Sequence, residues 1–98
     1  MNSYISNRVL TPEGHIIRQI REYLRMKGWL VIRMQQGPLC HKGIADLYCR
    51  HSVHGEVWIE VKTKTGRQSM WQKQFQDDIA SHGGRYFLAR SLDDVLKL

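Results

Sequence analysis

Two short alternating runs, and the turn between them, constrain this chain more than anything else in it. In Val57-Trp58-Ile59-Glu60-Val61-Lys62, an extended strand puts Val57, Ile59 and Val61 on one face and Trp58, Glu60 and Lys62 on the other. In Gly43-Ile44-Ala45-Asp46-Leu47-Tyr48-Cys49, Ala45, Leu47 and Cys49 share a face, and Asp46, Tyr48 and the following Arg50 take the opposite one. The intervening His51-Ser52-Val53-His54-Gly55 reads as a turn, so the runs are expected to pair as an antiparallel hairpin. A turn centred on Val53 sets Asp46 directly across from Glu60, with Cβ atoms roughly 5 Å apart. Carboxylates at that range repel unless a cation lies between them. A divalent metal ion is the natural one, and Lys62 lies on the same face.

Such a trio has a chemical use. Mg2+ prefers oxygen ligands and is often held by only one or two carboxylates, keeping several waters. Held there, it polarises a phosphoryl oxygen and lowers the pKa of a water, which makes a nucleophile near neutral pH. A lysine one pleat away steadies that water or the charge developing on phosphorus. Asp46 followed by Glu60-x-Lys62 is thus a compact apparatus for phosphodiester hydrolysis. The same residues also suit a solvated sheet face with a cross-strand ion pair, and alone they leave both readings open.

A chain of 98 residues is expected to form one small domain over 1–98, with residues 1–10 as a loosely packed arm. Hydrophobic residues make up 42% and charged ones 24%, the balance of an ordinary soluble globule. No apolar run approaches the ~20 residues of a membrane span, so no membrane partner is expected. The N-terminus lacks the apolar core of a secretory signal, and an intracellular location, cytoplasm or nucleoid, is the expectation. Cys40 and Cys49 lack CxxC spacing and suit reduced thiols in that compartment. A net charge of +6 favours a polyanionic partner, of which nucleic acid is the commonest.

Thr11-Pro12-Glu13 opens a helix, with Thr11 as N-cap and Pro12 at the first helical position, running to about Lys27 before Gly28. Ile17, Ile20 and Leu24 form its apolar stripe, and Glu13 stands at the head of that stripe. Glu22 lies among Arg18, Arg21 and Arg25 on the other side, as a surface acid with helical ion-pair neighbours. A first strand spans Trp29 to Met34, apolar apart from Arg33. The loop from Gln35 to Gly43 brings Lys42 beside the Asp46 strand, within reach of a phosphate. Cys40-His41 and His51-x-x-His54 lack the paired spacing of a structural zinc site. Beyond the hairpin, Lys64 and Arg67 sit in a polar loop placed to meet backbone phosphates. Ser69-x-x-Gln72 is a capping box opening a second helix, on which Gln72, Phe75, Gln76 and Ile79 share a face. Trp71 is read as packing rather than base stacking. Gly83-Gly84 ends that helix, Arg85 to Ala89 is a last strand, and Ser91 caps a short final helix to about Lys97. A helix between the third and fourth strands allows a right-handed crossover and a mixed sheet.

In this order the motifs resemble the VRR-NUC domain, the virus-type replication-repair nuclease of the PD-(D/E)xK nuclease superfamily. The resemblance runs from Thr11 to about Leu92. It rests on Glu13, Gly43-Ile44-Ala45-Asp46, Ile59-Glu60-Val61-Lys62-Thr63 and Gly66-Arg67-Gln68-Ser69-Met70-Trp71-Gln72. It implies an α/β, restriction-endonuclease-like core of order αβββαβ(α), with a mixed sheet flanked by helices. It also implies a metal-dependent DNA endonuclease, structure-selective for branched DNA such as Holliday junctions, in replication, recombination or repair. Asp46, Glu60 and Lys62 would then be the catalytic core, with Asp46, Glu60 and the Val61 carbonyl holding Mg2+ or Mn2+. Glu13 and Gln72 would support the same pocket, and Lys42, Lys64 and Arg67 would hold the nucleic-acid backbone. The family's usual Gly-x-Pro-Asp carries Ala45 in place of proline here, which removes no ligand. Single-domain members are often viral, which fits a phage-encoded protein acting in a host cell, and similar small nucleases pair as homodimers. The reading from another class is a non-catalytic basic module on the same fold that binds nucleic acid without metal.

Overall fold

The computed structural model describes residues 10–98, so all but Leu10 of the expected N-terminal arm lies outside the described residues. Helix α1 spans Pro12–Met26. Thr11 caps it as expected, its Oγ1 accepting from the Gly14 N–H at 3.0 Å. Strand β1 is Leu30–Arg33, shorter than the expected Trp29 to Met34. Trp29 is buried just ahead of the strand, whereas Leu30 and Ile32 are exposed. The reason is position: β1 is an edge strand that packs on α1 with one face only, so alternate residues meet solvent.

Strands β2, Leu47–His51, and β3, Gly55–Val61, form the expected hairpin. Their register pairs Leu47 with Ile59, Tyr48 with Trp58 and Cys49 with Val57, as a turn centred on Val53 requires. The turn is tighter than the five residues expected, since His51 and Gly55 themselves pair. Gly55 takes φ 79, the left-handed residue that closes a three-residue hairpin loop. His51 Nδ1 accepts from the Val53 and His54 N–H groups at 3.0 and 3.3 Å, satisfying the loop's donors. The strand carrying Asp46 begins later than expected. Gly43 sits at φ 76 and the Ile44 N–H bonds His41 O at 3.1 Å, so these residues form a turn rather than a ladder.

Helix α2, Met70–Ser81, begins in the anticipated Ser69/Gln72 capping box. It carries the chain over to β4, Tyr86–Ala89, which runs parallel to β3. The sheet order is β1-β2-β3-β4, antiparallel except for the last pair. The fold is therefore α/β, of order α-β-β-β-α-β, a mixed sheet flanked by helices that matches a PD-(D/E)xK restriction-endonuclease-like core. The final helix is only a 3-10 turn, Leu92–Val95, not a helix to Lys97. Ser91 makes no side-chain cap, and Asp94 Oδ2 is taken by the Arg90 N–H at 2.8 Å.

One face of the sheet forms the main core. Ile17, Ile20 and Leu24 of α1 pack there on Val31, Leu47, Cys49, Val57, Ile59 and Val61, with Trp29, Ala89 and Val95 closing the ends. The opposite face is aromatic under α2: Phe75 meets Trp58 edge-on at 5.2 Å and Tyr86 at 6.2 Å. Among the described residues, no helix is long and apolar enough to cross a membrane.

Candidate active site

The end of the hairpin away from its turn is where the polar residues gather. Asp46 stands one residue before β2, and the ladder that pairs Leu47 with Ile59 brings it opposite Glu60. Both carboxylates are buried, Asp46 at 7% exposed and Glu60 at 1%. Carboxylates are almost never buried that far unless something pairs with them. Asp46 is well held. Its Oδ2 accepts from the Val61 N–H at 2.7 Å, and its Oδ1 meets Arg33 Nη1 at 3.3 Å. Arg33 also donates to Asp46 O at 3.2 Å, fixing main chain and side chain together.

Glu60 is held on one side only. Its Oε2 accepts from Gln72 Nε2 at 3.0 Å, and Lys62 Nζ lies 3.8 Å from that same oxygen. Its Oε1 is buried and has no hydrogen-bond partner. Burial, then the Asp46 charge, push the Glu60 carboxyl up to about 8, with Lys62 pulling the other way. Glu13, in the first turn of α1, is near enough for its charge to add to the upward push. Asp46, Glu60, Lys62 and Gln72 are thus brought to one place, while Glu13 reaches it only through its charge. Val61 belongs to it through its N–H, which orients Asp46.

The orphaned Glu60 oxygen tests whether these residues suit a divalent cation. A buried acceptor with no donor, beside a second carboxylate, is a place where a cation removes two penalties at once. The donor set fits Mg2+ or Mn2+. It is sparse: among the described residues, no three His, Cys, Asp or Glu side chains are grouped to hold a metal. Two carboxylates with a carbonyl and waters is the set such an ion often takes.

The basic residues expected at the backbone behave differently from one another. Lys64 and Arg67 are exposed on the loop after β3. Lys42 is exposed too, its Nζ 4.6 Å above the Trp71 ring. That corrects the packing role expected of Trp71, which is 49% exposed and forms a platform for Lys42 instead. Gly43 explains why the two meet. A Cβ there would lie 2.1 Å from Trp71 O, so the loop rests directly on the start of α2.

Two residues of the site were not anticipated. Arg33 interrupts an otherwise apolar strand, and that interruption was its signal. Arg90 gave none. From the end of β4, its Nη1 donates to Thr63 O at 2.7 Å, Gly66 O at 2.7 Å and Lys64 O at 3.3 Å, holding the loop that follows Lys62.

Among solved structures, the chain is similar to a VRR_NUC domain, with a TM-score of 0.77 and 22% identity over 90% of this chain and 94% of that one. No protein-family model and no curated protein sequence matches it. The chain has the fold of a VRR_NUC domain over nearly its whole length.

Proposed function

We propose that this chain is a divalent-metal-dependent nuclease that hydrolyses DNA phosphodiester bonds, selective for branched DNA, and acting as a homodimer. The observation that carries the reading is Glu60 Oε1, buried and without a partner beside Asp46. The fold shared with a VRR_NUC domain and the net charge of +6 support it.

Asp46 and Glu60, with the Val61 carbonyl, are the residues that would hold Mg2+ or Mn2+. When bound, the ion supplies Lewis acidity toward a phosphoryl oxygen and toward water. The remaining work belongs to the chain's own groups. The Val61 N–H and the Arg33 guanidinium hold Asp46 in one orientation. Gln72 fixes the Glu60 carboxylate from the side opposite its free oxygen. Lys62 keeps a half-buried ammonium beside Glu60, placed to hold a water for attack or to meet charge on the phosphate. Glu13 adds negative charge at the mouth of the site. Lys42, Lys64 and Arg67 remain exposed to bind backbone phosphates. Two copies related by a two-fold axis would present two sites to two strands.

The experiment is a panel of labelled junctions, flaps and linear duplexes, with Mg2+, with Mn2+ or with EDTA. Asp46→Ala, Glu60→Ala and Lys62→Ala should abolish scission while folding and DNA binding survive. Undiminished cleavage by those variants would overturn the assignment. Metal-independent binding with no scission of any substrate would instead identify a non-catalytic module. Light scattering at assay concentration checks the dimer.

A further inference from the structure

We propose that Arg21 and Arg25 of α1 form a binding site for the phosphodiester backbone of nucleic acid, beside the Arg33–Asp46 pair at the end of β1. The inference deepens the nuclease reading and rests on it. It concerns residues whose helical spacing alone suggests an ordinary solvated face.

Gly14, Arg18, Arg21 and Arg25 fall in one line beside the apolar stripe of α1. Arg18, Arg21, Glu22 and Arg25 line an open cleft of about 240 Å3. Its one acid is already engaged, since Glu22 Oε2 lies 3.5 Å from Arg18 Nε. Arg21 and Arg25 are left without a carboxylate among the described residues. The Arg21 Nε is buried and has no acceptor. Burial, then Arg25 and Arg33, depress the Arg21 guanidinium below its usual range. Arg21 and Arg25, repelling one another and with a donor unsatisfied, lack an anion.

Its position says which anion. Arg25 Nη2 reaches Val31 O on the edge strand at 3.4 Å, so the row crosses from helix to sheet. Arg33, two residues further along that strand, holds Asp46. Four residues of helix separate Arg21 from Arg25, about 6 Å of rise. One strand of duplex places a phosphate roughly every 3.4 Å along its axis, so the pair spans about two neighbouring charges. Guanidinium forks suit phosphate oxygens better than ammonium groups do. The contacts are to backbone and carry no base specificity.

The test is fluorescence anisotropy with a labelled DNA duplex in EDTA across a salt series, on wild type, R21Q/R25Q and K64Q/R67Q. The first double variant should weaken binding and make the slope of log affinity against log salt shallower by about two. Its thermal melt should match or exceed that of wild type, because repulsion is removed. A wild-type affinity and slope in R21Q/R25Q, with wild type binding and cutting normally, would overturn the site and leave the nuclease reading intact. Polyglutamate displacing the duplex at equal charge, and depending on the same two arginines, would also overturn it, marking a site for acidic polymers in general. If wild type binds but never cuts, the nuclease reading fails, and the anisotropy series still decides the arginine site.

Discussion

Gln72 serves two masters through one amide. Its Oε1 accepts from the Ser69 N–H at 2.8 Å, closing the capping box, while its Nε2 donates to Glu60 Oε2 at 3.0 Å. The start of α2 is thereby tied to the carboxylate on β3. Gln72→Ala should cost about 1 kcal/mol of stability as a lost cap. It should also lower cleavage by 10–100-fold or so, the usual effect of losing a group that orients a metal ligand. Gln72→Glu keeps the cap, since a carboxylate still accepts from Ser69, but it cannot donate to Glu60 and sets a third acid beside it. A lowered melting temperature in Gln72→Glu, with turnover reduced far beyond what that loss accounts for, is the expected result. Full activity there would mean that Gln72 is a cap and nothing more.

Glu60 should make the metal-free protein less stable in alkali. Its carboxyl is raised from 4.5 to about 8 in the folded chain, so between those values the folded state holds a proton that the unfolded state does not. Stability from this group is full below about pH 4.5 and is lost as pH rises through about 8. A divalent cation favours the charged form, so Mg2+ should raise the melting temperature more above about pH 8 than near pH 5. Glu60→Gln should flatten both dependences. Melts with and without Mg2+ at the two pH values read this directly, and equal shifts at both would show that Glu60 does not meet the ion.

Gly43 should tolerate no side chain. It combines φ 76 with a would-be Cβ that meets Trp71 O at 2.1 Å, so strain and collision coincide. Gly43→Ala should destabilise by more than about 2 kcal/mol. It should reduce cleavage further than the stability loss accounts for, because the displaced loop leads into Asp46. Gly37→Ala, with open space around the new methyl, is the matched control and should be silent. Denaturant unfolding of the pair, beside their activities, checks both statements.

The pairing of the two carboxylates was legible where it depends on period two. A hairpin's length sets its register, and the register alone puts Asp46 opposite Glu60. Gln72 was legible as the head of an inward helical stripe, although its capping spacing offered a complete rival explanation. Strand limits were less so. Trp29 looks like strand and is core, and Gly43 to Asp46 alternates like strand and turns instead. Long-reach cations were the least legible. Arg33 and Arg90 act on main-chain atoms 13 and 27 residues away, contacts that no local periodicity encodes. The row on α1 could be seen, but not that Glu22 satisfies only Arg18.

Arg90 supports the last expectation. Its guanidinium donates to three carbonyls of the loop after Lys62, at Thr63, Lys64 and Gly66. Hydrogen bonds from a charged donor are worth roughly 1.5–3 kcal/mol each when made, and partial exposure trims that here. Arg90→Ala should therefore destabilise by about 2 kcal/mol overall. Arg90→Lys keeps the charge but loses the planar fork, and should recover little. The loop carries Lys64 and precedes Arg67, while Lys62 itself is anchored in line with β3 by its N–H to Ala89 O at 3.0 Å. Release of the loop should consequently weaken DNA binding and raise KM while sparing kcat. A fall in kcat with KM unchanged would mean that Arg90 acts on Lys62 and the chemistry rather than on the backbone-binding loop.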